Sequence, residues 1–287
     1  MKRPMILCLV VALAAVPARA EIKPANLPVN TAADEDEPHV SSNGLKLFYT
    51  SNANKKFEVF LSSRGETGKW TKGKLFLDLD SKANVRSVFL TPDGDKHLPQ
   101  RLYFATDKDP TKKDEKGHNY DLYFITKQTP KSDFTFEEGL KFCTEEDELH
   151  PWLTPDGNSL YFSRKTKGGW RVYVSTRPKD GGQFGDPALI KELPPEFHHA
   201  TLMPDGKTMY LQGPLDKGRW GLFRSTLGAR GWGKPEALKE LNNAAGPTGD
   251  RSPCLSRDGE WLYFASDRPD GKGGLDLYVV REKLLKN

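Results

Sequence analysis

Cysteines, long apolar runs and net charge are all scarce in this sequence of 287 residues, and each shortage excludes a class of protein. The apolar stretch at residues 5–16 covers about 12 residues, where a membrane-spanning helix needs about 20. A mean hydropathy of −0.65 also excludes a protein that crosses a membrane several times. The formal charge of +4 includes Lys2, Arg3 and Arg19, and without them 40 basic residues stand against 39 acidic ones. No nucleic-acid-binding surface is therefore predicted.

The first 20 residues have the three parts of an export signal. Lys2 and Arg3 form a basic start, residues 5–16 are apolar, and Ala18-Arg19-Ala20 has the small-x-small pattern of a cleavage site. We expect a signal peptide over residues 1–20, a mature protein in the periplasm or outside the cell, and no transmembrane segment after cleavage. An uncleaved N-terminal anchor is the alternative.

The three cysteines carry no recognisable chemistry. Cys8 lies in the signal, and Cys143 and Cys254 occupy different places within the repeat described next. We therefore expect two buried thiols, although an oxidising compartment would permit one disulfide. The sequence has no Gly-x-Ser-x-Gly motif, phosphate loop or dinucleotide fingerprint, so no cofactor is predicted.

A five-fold repeat is visible when the turn signals are aligned. Turns that end in glycine recur at intervals of 50, 63, 49 and 53 residues, and they end at Gly44, Gly94, Gly157, Gly206 and Gly259. Asn-Gly and Asp-Gly favour hairpin turns because these residues tolerate positive φ. After each turn comes an apolar, aromatic triplet typical of a buried strand: Leu47-Phe48-Tyr49, Leu102-Tyr103-Phe104, Leu160-Tyr161-Phe162, Met209-Tyr210-Leu211 and Leu262-Tyr263-Phe264.

Each repeat has room for four short strands, a pattern that predicts an all-β, five-bladed β-propeller of four-stranded antiparallel blades over residues 21–287. The fifth repeat ends after its third strand. A spare strand signal stands at the other end of the chain, around Pro24-Ala25-Asn26-Leu27. We predict that this N-terminal strand closes the last blade, which removes an open sheet edge. An open array with a loose N-terminus is the alternative.

The last repeat resembles a known family. The segments 252–259 (SPCLSRDG), 262–268 (LYFASDR) and 273–278 (GGLDLY) are similar to the Pro-Asp-Gly repeats of TolB-type propellers. The resemblance implies that the strand before each turn is the innermost one and begins at a rim of the central channel. The separate N-terminal α/β domain of TolB has no counterpart here, so the partners of TolB are not inferred.

Counting back seven and eight residues from each turn glycine predicts which side chains line that rim. The ionisable ones are Asp36, Glu37, Arg86, His150, His198, His199 and Arg251. A ring of mixed charge at a tunnel suits a small ligand or an anion, although such residues also satisfy one another around a water-filled pore. Binding through the histidines is expected to weaken as the pH rises through about 6.5.

Metal binding is not predicted at the rim. Adjacent His198 and His199 should point to opposite faces of an extended strand, so at most one of them would join His150. In blade 2, the loop from Asp107 to Asn119 is longer than its counterparts and should project from the rim face. It lacks the full ligand spacing of a calcium loop.

These features indicate a monomeric, exported binding or scaffolding module for an envelope protein or a glycan, with an anionic group on the ligand. The alternative is a glycoside hydrolase with carboxylates at the channel. Candidate carboxylates for that chemistry are Asp36, Glu37, Glu148 and Asp250.

Overall fold

The computed structural model describes residues 22–65, 67–77, 83–92, 99–108, 119–129, 132–178, 182–242 and 246–285. The predicted signal peptide, residues 1–20, lies outside these ranges, as do residues 93–98 and 109–118 of the two blade 2 insertions. Within the described ranges, no helix is long and apolar enough to cross a membrane. Short 3-10 turns at Asp216–Gly218 and Glu282–Leu285 are the helical elements described.

The strands form five small antiparallel sheets, which are the blades of a five-bladed propeller as predicted. Blade 1 contains β2 (Glu35–Val40), β3 (Lys46–Ser51), β4 (Glu58–Ser63) and β5 (Lys74–Leu77). Blade 2 contains β6 (Val85–Leu90), β7 (Gln100–Thr106), β8 (Asp121–Lys127) and β9 (Thr135–Gly139). Blade 3 contains β10 (Glu148–Leu153), β11 (Ser159–Thr166), β12 (Gly169–Thr176) and β13 (Ala188–Leu189).

Blades 4 and 5 depart slightly from this pattern. Blade 4 contains β14 (His198–Leu202), β15 (Thr208–Pro214) and β16 (Trp220–Gly228), and two short strands, β17 (Gly231–Trp232) and β18 (Glu236–Ala237), both pair with β16. Blade 5 contains β19 (Asp250–Leu255), β20 (Trp261–Ser266), β21 (Asp276–Arg281) and, from the other end of the chain, β1 (Ala25–Asn26).

The N-terminal strand closes the ring, which confirms the prediction from the spare strand signal. Ala25 pairs with Val279, Asn26 pairs with Tyr278, and the N–H of Leu27 donates to the carbonyl of Leu277 at 2.9 Å. Blade 5 is thereby completed by both ends of the chain, so its third strand has no open edge.

The apolar core lies between neighbouring blades. The cluster between blades 5 and 1 is representative, because it joins the N-terminal segment to both blades; it contains Leu27, Val29, Val40, Leu47, Tyr49, Cys254, Tyr263, Ala265 and Leu277. Cys143 and Cys254 are both free thiols, as expected, with Cys254 buried and Cys143 partly buried.

Each innermost strand contains a bulge at the same place. The pairing with the second strand shifts register after the second residue of the inner strand in blade 1, and at the equivalent point of the others. One residue per blade takes a positive φ of 51 to 57° there: Glu37, Ser87, His150, His199 and Ser252. A bulge turns consecutive side chains away from strict alternation. This distortion determines what faces the channel.

Candidate functional site

The seven ionisable residues predicted at the rim lie together at one end of the channel. Each lies among the first three residues of one of the five innermost strands, which are β2, β6, β10, β14 and β19. All are linked by hydrogen bonds, ion pairs or ring contacts to another member of the set, and we call this end the channel mouth.

Two arginines and two carboxylates of the mouth form a continuous ion-pair network. The Arg86 guanidinium contacts Glu37, with Nη2 2.8 Å from Oε1 and Nε 3.0 Å from the same oxygen. Nη2 of Arg251 lies 2.5 Å from Oδ2 of Asp36, and Nη2 of Arg86 lies 3.7 Å from that oxygen. Two positive charges therefore balance two negative ones. The guanidiniums that sequence reasoning offered to an anionic ligand already have protein partners.

Glu37 is the centre of this network. Besides Arg86, it accepts hydrogen bonds from the Thr50 hydroxyl at 2.8 Å and the Ser87 N–H at 3.0 Å, and it lies 3.1 Å from Nε2 of His150. Burial alone would raise its pKa, but the Arg86 guanidinium and the hydrogen bond with His150 hold the pKa of Glu37 well below its usual value. Glu37 is thus a stable carboxylate at neutral pH.

The three histidines lie together beside Glu37, and two of them are stacked. The rings of His150 and His199 lie 3.8 Å apart between centroids with a 17° angle between planes, and the ring of His198 lies 5.8 Å from that of His150. The expectation that His198 and His199 point to opposite faces is therefore wrong, because the bulge at His199 breaks the alternation.

Burial lowers the pKa of all three rings. For His198 and His199 the lowering is large, and a neighbouring positive charge on His150 would lower both further; for His150 the contact with Glu37 opposes the effect of burial. The histidines are therefore neutral at neutral pH, and the titration expected near pH 6.5 is displaced to lower pH.

An aromatic wall surrounds the polar network, and sequence reasoning missed it. Phe57 and Tyr120 flank the Arg86 guanidinium at 4.6 and 5.7 Å, and the rings of Trp170 and Trp220 each lie 5.1 Å from that of His198. The four rings are partly exposed. The four aromatic residues occupy equivalent positions in blades 1 to 4. Each comes two residues before the first aliphatic residue of the third strand, and the equivalent residue of blade 5 is Leu275. That repeated aromatic was the available signal.

Four buried polar atoms at the mouth have no hydrogen-bond partner among the described residues: Ser87 Oγ, His199 Nδ1, Arg251 Nε and Ser252 Oγ. Three of these residues, Ser87, His199 and Ser252, are among the five bulge residues, one of which comes from each blade. Buried polar atoms are rarely left unpaired in a folded protein. A hydroxyl or other polar group that enters the channel can form hydrogen bonds with these atoms.

Two further candidate carboxylates lie elsewhere. Glu148 is bonded to Arg164, whose Nε lies 2.6 Å from Oε1, and Asp250 is bonded to Arg268, whose Nη2 lies 3.0 Å from Oδ1. Each pair is made within one blade. The two pairs stabilise blades 3 and 5. Of the four candidate carboxylates, Asp36 and Glu37 are the two that belong to the channel mouth.

The ends of the long blade 2 loop lie on the same face as the mouth. Asp107 accepts two hydrogen bonds from Asn84, from its N–H and its side-chain amide, each at 2.6 Å. Asn119 donates to the carbonyls of Thr144 and Glu146. Residues 109–118 between them lie outside the described ranges.

Two of the three mouth histidines already use Nδ1 for contacts within the protein. Nδ1 of His150 contacts Ser163 at 3.1 Å, and Nδ1 of His198 contacts the carbonyl of Glu196 at 3.0 Å, so these two nitrogens point to separate partners. Asp121, Cys143 and Glu148 also bring ligand-type atoms within 4.8 Å of one another. Burial raises the pKa of the Cys143 thiol, and the neighbouring Glu148 raises it further, so the thiol stays protonated.

No protein-family model matches the chain, and no curated protein matches it in sequence. Solved structures do share its fold. The endo-arabinase of Bacteroides thetaiotaomicron VPI-5482 superposes with a TM-score of 0.58 at 14% identity, over 89% of this chain and 96% of that one. The putative TolB of Agrobacterium tumefaciens superposes with a TM-score of 0.51 at 15% identity, over 88% and 78%.

The TolB of Acinetobacter baumannii matches with a TM-score of 0.49 at 17% identity, over 87% of this chain and 56% of its own length. This chain thus spans little more than half of that protein. The class that the fold defines is a five-bladed β-propeller, an architecture shared by TolB proteins and glycoside hydrolases.

Proposed function

We propose that this chain is an exported, periplasmic or secreted propeller that binds a neutral glycan at the channel mouth, and that its repeats are related to those of TolB. The observation that carries the proposal is the combination at one site of four partly exposed rings and four unpartnered polar atoms. Aromatic faces offer flat apolar contact, and fixed polar groups orient a ligand within a pocket. A sugar presents both an apolar ring face and hydroxyl groups, so it matches this arrangement.

The charges of the mouth support a neutral ligand. Arg86 is paired with Glu37 and Arg251 with Asp36, so capture of an anion would have to break an existing ion pair. Removing one partner from a buried pair leaves an uncompensated charge, which is costly. A neutral hydroxyl group can bond to Ser87, His199 or Ser252 without that cost.

Hydrolysis is the second candidate, since the endo-arabinase neighbour has this fold and Asp36 and Glu37 lie at the mouth. A glycosidase needs one carboxyl group that stays protonated as the general acid and a second one as base or nucleophile. The lowered pKa of Glu37 disfavours the acid role for that residue. Burial raises the pKa of Glu148, but Arg164 already binds that carboxylate, so we favour binding over turnover.

The test is affinity electrophoresis of the protein in gels that contain soluble polysaccharides, with Trp170→Ala/Trp220→Ala as the site variant. At least one polysaccharide should retard the native protein, and the double variant should bind about tenfold more weakly or worse, a loss of about 1.4 kcal/mol. Trp261→Ala is the matched control, because that ring packs on Arg281 at 4.1 Å on blade 5, away from the mouth.

Absence of retardation across the panel, or equal retardation of all variants, would contradict the proposal. Release of reducing ends is measured in the same samples. Turnover that disappears in Glu37→Gln would establish the hydrolase instead.

A further inference from the structure

A second cavity lies between blades 2 and 3, at the periphery of the ring, and none of its lining residues belongs to the channel mouth. Its volume is about 440 Å³, within the range of small-molecule pockets. Three aromatic rings form its apolar walls: Phe124, Phe142 and Phe184. Arg101 and Tyr103 reach it from the second strand of blade 2, and Lys141 reaches it from the connection to blade 3.

Two hydrogen-bond donors that line this cavity, and a third beside it, have no partner of ordinary geometry among the described residues. They are the Tyr103 hydroxyl, Nε of Arg101 and Nη1 of Arg177, and each atom is buried. Arg177 lies beside Tyr103, whose hydroxyl oxygen can accept from the guanidinium, and Nε of Arg177 donates to the Gly157 carbonyl at 2.8 Å. An arginine has no acceptor atom, so these guanidiniums cannot satisfy one another or receive the proton of Tyr103. The group that completes them has to be an acceptor.

The repeat contains an internal comparison for this arrangement. Tyr210 is the equivalent of Tyr103 in blade 4, and its hydroxyl donates to Oε1 of Glu282 at 2.7 Å. Glu282 occupies in blade 5 the position that Arg177 occupies in blade 3, since both follow the last residue paired in the third strand. Between blades 4 and 5 a carboxylate of the protein thus accepts the tyrosine proton. Between blades 2 and 3 a cation stands in its place.

The described side chains that line the second cavity carry positive charge. Its described lining contains Arg101 and Lys141 and no acidic side chain. Burial lowers the pKa of Arg177, and the nearby charge of Arg101 lowers it further, so the two guanidiniums repel each other. Each guanidinium rests on an aromatic face, Arg101 at 4.9 Å from Phe124 and Arg177 at 4.8 Å from Phe184, which holds it in position.

We infer that this cavity binds a small molecule that carries a carboxylate on an apolar ring or chain. The carboxylate accepts from the Tyr103 hydroxyl, as Glu282 does from Tyr210 between blades 4 and 5, and it pairs with Arg101 and Lys141, the two cations that line the cavity. The apolar part lies against the phenylalanine rings. This site is independent of the glycan proposed at the channel mouth.

Titration calorimetry with 2-naphthoate and with 2-naphthamide tests the inference on the whole protein. The two probes have the same ring system, but only naphthoate has the negative charge. Naphthoate should bind at least about tenfold more tightly than the amide. Tyr103→Phe and Arg101→Gln should each weaken naphthoate by about tenfold while the melting temperature confirms folding.

The matched controls are Tyr263→Phe and Arg64→Gln, which make the same kinds of change at the junction of blades 5 and 1. There Arg64 donates to the Gly44 carbonyl as Arg177 does to that of Gly157. Both controls should keep native affinity. Failure of naphthoate to bind at millimolar concentration, equal binding of the amide, or undiminished binding by both site variants would overturn the inference. Loss of naphthoate binding in Trp170→Ala would also overturn it, because the probe would then occupy the channel mouth.

Discussion

Asn30→Ala tests how the two ends of the chain hold the ring closed. The Asn30 side chain acts as a substitute peptide group for the third strand of blade 5. Its Oδ1 accepts from the N–H of Leu277 at 2.8 Å, and its Nδ2 donates to the carbonyl of Leu277 at 2.9 Å. The residue is 4% exposed, so water does not replace these bonds.

The magnitude follows from what alanine leaves behind. The carbonyl of Leu277 keeps the hydrogen bond from Leu27, but the described structure offers its N–H no other acceptor. A buried donor without a partner costs about 1–3 kcal/mol, and the lost second bond to the carbonyl adds about 0.5–1 kcal/mol. We expect Asn30→Ala to lower the free energy of unfolding by about 2–3 kcal/mol, measured by urea denaturation with an unchanged m-value.

Two comparisons isolate the effect. Asn242 makes the same pair of bonds to Leu222 in blade 4, so Asn242→Ala should cost a similar amount. Asn26→Ala removes the hydrogen bond that Nδ2 of Asn30 donates to Oδ1 of Asn26 at 2.9 Å and an exposed contact to the Asp270 carbonyl at 3.3 Å, but it leaves both bonds to Leu277 in place, so it should cost less, about 0.5–1.5 kcal/mol. If Asn30→Ala unfolded within 0.5 kcal/mol of the native protein, this account of closure would be refuted.

Three further changes probe the channel and its surroundings. Burial lowers the pKa of His39 to about 4, below its value near 6.5 in the unfolded chain. The stability that the neutral ring contributes is therefore present above pH 6.5 and is lost as the pH falls toward 4, by up to about 3 kcal/mol. Urea titrations across that range should show the loss, and His39→Gln should reduce it. Arg86→Ala leaves the carboxylate of Glu37 buried and unpaired and should cost about 3–5 kcal/mol by the same assay, and a cost below about 1 kcal/mol would contradict the ion-pair account. Gly249→Ala should lower the melting temperature far more than Gly206→Ala. A Cβ at residue 249 would lie 2.2 Å from a backbone oxygen, whereas one at residue 206 meets nothing within 4 Å. Equal shifts would show that the close approach does not matter.

The architecture was predictable from the sequence because its determinants are local and repeated. The turn signals that end at Gly44 and its four counterparts, each followed by an apolar triplet, predict five blades of similar strand content. The missing fourth strand after the last repeat and the strand signal near Ala25 predicted closure by the N-terminus. Counting back from the turns also brought the seven ionisable residues to one rim, since all five innermost strands start there.

What each rim residue does was decided only by the tertiary structure. The bonded atoms of Arg251 and Asp36 belong to residues 215 positions apart, so no spacing in the sequence predicted that the arginine would be paired. His199 faces His150 because of a bulge with positive φ, whereas an ideal strand would turn it away. Tyr103 and Tyr210 have the same place in the repeat, yet one hydroxyl meets a carboxylate and the other a guanidinium. Turns and strand periodicity act within one blade, whereas hydrogen bonds and ion pairs between blades depend on which side chain the neighbouring blade places within about 3 Å.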